Sequence, residues 1–247
     1  MTAWPEGYGR RVLPEVDSTL SEAARLVPTL AGPEWILAHH QTAARGRRGR
    51  AWATPPGNFA ASLVLPVAGL DAALRSFVAA LALRDACVAV TGREAAFQLK
   101  WPNDVLLNGG KLAGILLESA GQGGAISHVI VGIGVNLVRA PDVSDLEPDA
   151  VPPASLRQSF GVEVTPDDFL THLAAAYARH EAQFGAYGFA PIRTAWLAHA
   201  ARLGEVITAR TTRDIYKGTF VDVDDQGQLV LETAKGRVSI PAADVYF

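Results

Sequence analysis

The stretch Lys100-Trp101-Pro102-Asn103-Asp104-Val105-Leu106-Leu107-Asn108-Gly109-Gly110-Lys111-Leu112-Ala113-Gly114-Ile115-Leu116-Leu117-Glu118 decides the fold. Two apolar runs flank Asn108-Gly109, a pair suited to the positive φ angles of a two-residue turn, so the segment reads as a β-hairpin. Its ends carry functional groups. Asn103 and Asp104 stand before the first strand, and Lys111 opens the second, which sets an ammonium at the mouth of a sheet rather than on a free tail. Trp101 and Pro102 read as structural, fixing the entry to the hairpin.

Two neighbouring segments extend this pattern. Val129-Ile130-Val131-Gly132-Ile133-Gly134-Val135-Asn136-Leu137 is a buried strand whose glycines either leave room for a ligand or serve as a bulge or packing device. Upstream, Arg45-Gly46-Arg47-Arg48-Gly49-Arg50 puts four guanidinium groups into six residues of a chain whose net charge is −3. That run is either a solvated basic stretch or a loop that closes on an anion. Its glycines permit close backbone approach, and arginines offer paired, charge-assisted hydrogen bonds to carboxylate or phosphate.

The remaining periodicities give an α+β order. Asp17 and Ser18 can cap a helix reaching Leu30, and Glu34 to His40 reads as a strand leading into the arginine run. Asn58 to Val67 is a further strand, and Leu70 to Val90 a helix with Leu74, Phe77, Val78 and Leu81 on one stripe. A turn at Gly121-Gln122-Gly123-Gly124 separates the hairpin from the glycine-containing strand. Residues 139–154, with three aspartates, one glutamate and four prolines, read as a loop. Thr165-Pro166-Asp167-Asp168 has the plan of a helix start, and the stripe Phe169, Leu173, Tyr177, His180, Phe184 makes His180 a packed residue rather than a ligand. After Arg202 the texture becomes short strands at Glu205 to Thr211, Tyr216 to Val223, Leu229 to Thr233 and Arg237 to Ile240. These predict a barrel of about 45 residues, too small to stand without docking on the rest. The division expected is 1–202 and 203–247.

Composition fits a cytoplasmic enzyme. With 49% hydrophobic residues in 247 the chain has ample core. It has no signal-peptide plan at Met1-Thr2-Ala3-Trp4-Pro5-Glu6 and no apolar run of the roughly 20 residues that a membrane helix needs. Cys87, the single cysteine, lies in an apolar helix and reads as a small core residue. The six histidines lack metal spacing; His39 and His40 are adjacent and face opposite ways on a strand.

In their order, the Arg-Gly loop, KWPND, KLAGILLE and VGIGVNL resemble the signature of biotin protein ligases, from about Val16 to the C-terminus. The resemblance implies a class II synthetase-like catalytic domain with a mixed sheet flanked by helices, followed by an SH3-like domain. It implies ATP-dependent transfer of biotin, through biotinyl-5′-AMP, to a lysine of a biotin carboxyl carrier protein, with Mg²⁺ accompanying ATP. No segment before Val16 is long enough for the DNA-binding domain of repressor-type members, so a ligase without specific DNA binding is expected. Homodimerisation stays open.

Residue by residue, Lys111 is similar in position to the lysine bridging the biotin carboxylate and the α-phosphate, and is expected to stabilise transition-state charge. Arg45, Gly46 and Arg47 match the loop that holds biotin and the adenylate; Arg48 and Arg50 meet either pyrophosphate or solvent. Ser18, Thr19 and Gln41 match the groups that hydrogen-bond the neutral, polar ureido ring, although capping alone accounts for one hydroxyl of the Ser-Thr pair. Trp52 and Gly114 would line an apolar tunnel, and Asn103, Gly132 and Asn136 the adenylate. Asp104 either orients the incoming lysine or holds Mg²⁺. Leu20 stands where the family usually has Asn, and Ala44 where a glycine usually precedes the arginines.

Rival nucleotide folds fail on spacing. Gly110-Lys111 is followed by Leu112 where a P-loop needs Ser or Thr, with no glycine five residues before Gly110, and Gly132-x-Gly134 reaches Leu137 where a third dinucleotide-fold glycine belongs. A lipoate–protein ligase is the nearest enzyme alternative; a nucleic-acid-binding module built on the arginine run is the alternative from another class, opposed by the acidic net charge.

Overall fold

The computed structural model describes residues 2–67, 70–122, 125–142 and 151–246. The hairpin forms as the sequence requires: β5 (Asp104–Leu107) pairs antiparallel with β6 (Gly110–Gln122), and the turn between them has φ of 48° at Asn108 and 82° at Gly109. On the other side of β6 runs β7 (Ala125–Val135), carrying the two strand glycines. β4 (Phe97–Lys100), β3 (Phe59–Pro66), β2 (Glu34–Gln41) and β1 (Gly9–Val16) complete a mixed seven-stranded sheet of order β1-β2-β3-β7-β6-β5-β4, parallel only between β1 and β2. Gly123 and Gly124 of the expected β6–β7 turn lie outside the described residues, as do residues 143–150 of the acidic, proline-containing loop.

β1 was not foreseen from sequence. Its Gly-Arg-Arg-Val-Leu-Pro-Glu-Val sequence has neither alternation nor an apolar run, and most of it is exposed. Arginines and a proline are what an edge strand tolerates, because one of its sides has no ladder partner to satisfy.

Both faces of the sheet are covered, which explains why β2, β3 and β7 are continuous apolar runs rather than alternating ones. Trp35, Leu37, Leu63, Val129 and Val131 face the large core with α2 (Arg75–Thr91), α4 (Pro166–Tyr187) and α5 (Phe189–Leu197). Their neighbours Ile36, Val64 and Ile130 face Leu20 and Ala23 of α1 (Thr19–Leu26). The stripe expected on α2 is too narrow: every residue from Phe77 to Arg84 is buried, because the helix is covered by α4 and α5 as well as by the sheet. It starts at Arg75, after a 3₁₀ turn over Leu70–Leu74, and stops at Gly92 with φ of 68°. Cys87 is fully buried on it, and that burial pushes its thiol pKa up.

The first helix is shorter than the expected span to Leu30. It ends at Leu26 and passes into a 3₁₀ turn, Val27–Thr29, containing Pro28, which cannot donate to a continuing helix. At α4 the expected cap is present, with the Thr165 hydroxyl accepting from the Asp168 N–H at 3.1 Å. His180 is mostly covered, and its Nε2 lies 2.8 Å from Asp85 Oδ2. The short α3 (Leu156–Phe160) and α5 were not anticipated.

The C-terminal strands are β8 (Val206–Arg210), β9 (Ile215–Val223), β10 (Leu229–Thr233), β11 (Gly236–Ile240) and an unforeseen β12 (Asp244–Tyr246). They form an antiparallel five-stranded sheet of order β11-β10-β9-β8-β12, which fits the small SH3-like unit expected from the sequence. Docking is extensive. Phe220, Val223, Leu229 and Leu231 join the large core, Trp101 Nε1 donates to Gly227 O at 3.0 Å, and Arg193 reaches Asp222 at 2.5 Å.

Candidate active site

The α1 N-terminus, the arginine loop, β5, β6, β7 and β12 surround a cavity of about 760 Å³. Apart from Arg48, every site residue singled out from the sequence lines it, although the segments are scattered over more than a hundred residues of chain.

Its charged end is built on the hairpin. Lys111 Nζ lies 2.8 Å from Asp104 Oδ1, and Lys100 Nζ lies 3.8 Å from Asp104 Oδ2, so one mostly buried carboxylate stands between two ammonium groups. Burial holds the Lys100 pKa below its ordinary range; Asp104 opposes that shift and Lys111 adds to it. The Lys111 backbone is clamped by residues 152–154: its N–H donates to Pro152 O at 2.7 Å, and its carbonyl accepts from the Ala154 N–H at 2.9 Å. Gly110 permits that approach, since a Cβ there would sit 2.9 Å from Ala154 Cβ. Asn103 Nδ2 donates to Ile115 O at 2.5 Å, tying the turn before β5 to β6, and buried Asn136 donates to Ala154 O at 3.1 Å, tying the end of β7 to the 152–154 segment.

The arginine loop is a closed turn. Arg45 bridges Ala51, the Gly46 N–H donates to Arg50 O at 2.7 Å, and Arg48 and Gly49 take φ of 56° and 72°. Its counter-charges come from this chain. Glu118 takes a paired contact from Arg45 at 3.0 Å, and Asp244 lies 2.6 Å from Arg48, 3.6 Å from Arg47 and 3.8 Å from Arg50. Arg47 is the most enclosed of the four. Burial lowers its pKa, Asp244 and Asp104 oppose the shift, and Arg48 and Arg50 reinforce it. Ala44, where the family usually has a glycine, accepts the Trp52 N–H through its carbonyl at 3.1 Å.

The opposite end is neutral and polar. Gln41 Oε1 accepts from the Thr19 N–H at 2.8 Å and from the Thr19 hydroxyl at 3.2 Å, while Ser62 Oγ donates to Thr19 Oγ1 at 2.9 Å. Ser18 holds the N-cap position of α1, yet its hydroxyl makes no capping bond; Asp17 Oδ1 accepts the Ser18 N–H instead, at 2.8 Å. Capping therefore does not account for Ser18.

Between the two ends the wall is apolar. A Cβ on Gly134 would fall on the Trp52 indole, one on Gly114 would lie 3.2 Å from the same ring, and one on Gly132 would lie 2.7 Å from Leu20. The two strand glycines thus make room for side chains of this chain. Leu20 replaces a polar group with an apolar floor above Gly132.

Sequence reasoning did not assign Lys100, Ser62 or the β12 residues Asp244, Val245 and Tyr246. Ser62 had a signal, being a lone hydroxyl in an apolar run; Asp244 had none, because its partners lie almost the whole chain away.

The topology and the converging cations are those of a ligase that activates a carboxylate. The protein has the fold of a biotin protein ligase from Aquifex aeolicus solved with biotin and ATP, with a TM-score of 0.80 at 24% identity over 96% of this chain and 97% of that one. A Leishmania major biotin protein ligase with biotinyl-5-AMP superposes with a TM-score of 0.66, covering 96% of this chain. Residues 9–136 match the model of the Biotin/lipoate A/B protein ligase family, and residues 203–247 that of the Biotin protein ligase C terminal domain. Over 238 residues the chain is 56% identical to the biotin--[acetyl-CoA-carboxylase] ligase of Paracoccus denitrificans, covering 96% of this chain and 99% of that one. The bifunctional ligase/repressor BirA of Bacillus spizizenii is 33% identical, with 94% of this chain and 72% of that one covered. The chain belongs to the biotin/lipoate protein ligase family.

Proposed function

We infer that this protein is a biotin–[acetyl-CoA-carboxylase] ligase, joining biotin to a lysine of a biotin carrier protein at the expense of ATP. The observation that carries this is the near-complete match at 56% identity to a ligase of that name. The matched C-terminal biotin ligase domain separates the reading from a lipoate ligase.

The chemistry follows from two anions that must meet. A biotin carboxylate oxygen attacks the α-phosphorus of ATP, a C–O–P linkage forms, and pyrophosphate leaves with the electrons of the broken P–O bond. Lys111, oriented by Asp104, is placed to neutralise the carboxylate and the α-phosphate as charge builds between them. Ser18, Thr19 and Gln41 suit the ureido ring, Trp52 and Gly114 the aliphatic side chain, and Arg45, Gly46 and Arg47 the activated carboxyl. Asn103, Gly132 and Asn136 are assigned to the adenylate side. A carrier lysine then attacks the acyl carbon and AMP departs.

The cavity carboxylates Asp104 and Asp244, and Glu118 as the partner of Arg45, are all engaged by cations, and no group of three metal-ligating side chains occurs among the described residues. Mg²⁺ therefore fits as a companion of the ATP phosphates, which is how this ion is commonly held, rather than as a resident of the protein. Residues 1–202 form the catalytic unit in this proposal and 203–247 the C-terminal one, which contributes Asp244. Among the described residues no helix is long and apolar enough to cross a membrane, and a cytoplasmic site of action is proposed with the activity.

The test is incubation with biotin, ATP, Mg²⁺ and a biotin carrier domain, read as covalent biotin on the carrier lysine. Lipoate transfer in its place, or no transfer with pyrophosphate release absent, refutes the assignment.

A further inference from the structure

We propose that Ser62, a fully buried residue of β3, is a positioning residue that fixes the hydrogen-bond polarity of the subsite for the biotin ring. The inference rests on the function proposed above.

The Thr19 backbone N–H can only donate, and it points at the Gln41 side chain with a 2.8 Å contact. The atom it meets must be the amide oxygen, so Gln41 has one orientation and its amide nitrogen faces away, towards Thr54 at 3.4 Å. The Thr19 hydroxyl also lies against that oxygen, at 3.2 Å, and must spend its single proton there. Thr19 Oγ1 then has only lone pairs left to offer. Ser62 Oγ, 2.9 Å away, must be the donor to it. The chain of bonds runs one way, from Ser62 to Thr19 to Gln41, across β3, the start of α1 and the end of β2.

This order decides what the cavity presents. Gln41 keeps one N–H beyond the one directed at Thr54, suited to a urea carbonyl, and Thr19 offers a remaining lone pair, suited to a urea N–H. Without Ser62 the Thr19 hydroxyl is released from one of its two restraints and can turn its proton into the cavity, where it would oppose the ring N–H. Ser62 has no exposed surface and does not line the cavity, so it acts only through Thr19.

The experiment is a double-variant cycle read by biotin binding and by biotin-dependent pyrophosphate exchange. Ser62→Ala is expected to raise the KM for biotin roughly five- to tenfold, the scale of one neutral hydrogen bond, with the KM for ATP unchanged. In a Thr19→Val background the same substitution should change the biotin KM less than twofold, because its route of action is gone. Ser62→Cys keeps the volume with a weak donor and should fall between the two; biotin affinity equal to that of the unmodified protein would assign the effect to packing and overturn the proposal. Full additivity with Thr19→Val, or an equal rise in both KM values, would overturn it too. No biotin binding by the unmodified protein would instead refute the ligase function, and this inference with it.

Discussion

Arg48 and Asp244 are separated by 196 residues of chain and by 2.6 Å in space. Asp244 also faces Arg47 and Arg50, so one carboxylate of the last strand serves as counter-ion to three of the four loop arginines. The loop carries its own compensation, and any phosphate that enters must compete with Asp244 for the same guanidinium groups.

Asp244→Asn is therefore expected to loosen residues 45–51 in the ligand-free protein. Partly exposed ion pairs are worth about 0.2–1 kcal/mol each, and several are lost together, so backbone hydrogen exchange there should quicken several-fold. Biotinyl-AMP should restore protection, since its phosphate supplies a replacement charge. Unchanged exchange without ligand would show that Asp244 does not hold the loop.

Lys111→Ala should fold, because Asp104 keeps Lys100 as a partner and the Lys111 backbone stays clamped between Pro152 and Ala154. Adenylate formation should fall by ~10²–10³, the usual cost of removing one preorganised electrostatic group. Pyrophosphate exchange near that of the unmodified enzyme, with the melting temperature also unchanged, would remove Lys111 from the chemistry.

The hairpin, the covered strands and the α4 cap were legible because each is written locally: Asn108-Gly109 in two residues, β3 in one apolar run, Thr165 to Asp168 in four. β1 was not, since an edge strand needs no apolar pattern. The extent of α2 burial was not either, because small alanines reveal nothing about which side of a helix is covered. In the site, every residue chosen by motif except Arg48 lines the cavity, yet the counter-ions and Ser62 did not emerge. Asp244, with its basic partners nearly two hundred positions away, leaves no periodic trace; a lone serine in an apolar strand does, but reading it requires knowing that Thr19 lies opposite.

Lys100 gives a pH signature. Its folded-state pKa lies below the ordinary 10.5, chiefly through burial, so the folded protein releases this proton at a lower pH than the unfolded chain. Between the two values the unfolded state binds more protons, and the contribution of Lys100 to stability improves as pH rises through that window. Lys100→Met removes the titration. Urea unfolding at pH 7 and at pH 10 should show the unmodified protein gaining on the variant at the higher pH. A difference independent of pH would mean that Lys100 is not desolvated in the folded state.

Gly134 and Trp52 supply the sharpest steric test. A Cβ built on Gly134 coincides with the indole five-ring of Trp52, and the same indole lies 3.2 Å from the Cβ position of Gly114, so two strands have given up side chains to admit one ring. Gly134→Ala cannot be absorbed by a rotation at the tip of a side chain, because ring atoms are what it meets. The ring must leave its place against β6 and β7, where it lines the cavity between the neutral and the charged ends. Alanine is acceptable to a β-strand backbone, and overpacking of this kind typically costs about 1–3 kcal/mol, so the fold should survive while the biotin KM rises and tryptophan fluorescence shifts. Combining Gly134→Ala with Trp52→Phe removes the five-ring that clashes and should recover part of the lost biotin affinity. A double variant no better than Gly134→Ala alone would place the cost in the strand and not in the indole, and Trp52 would lose its role as the wall of the tunnel.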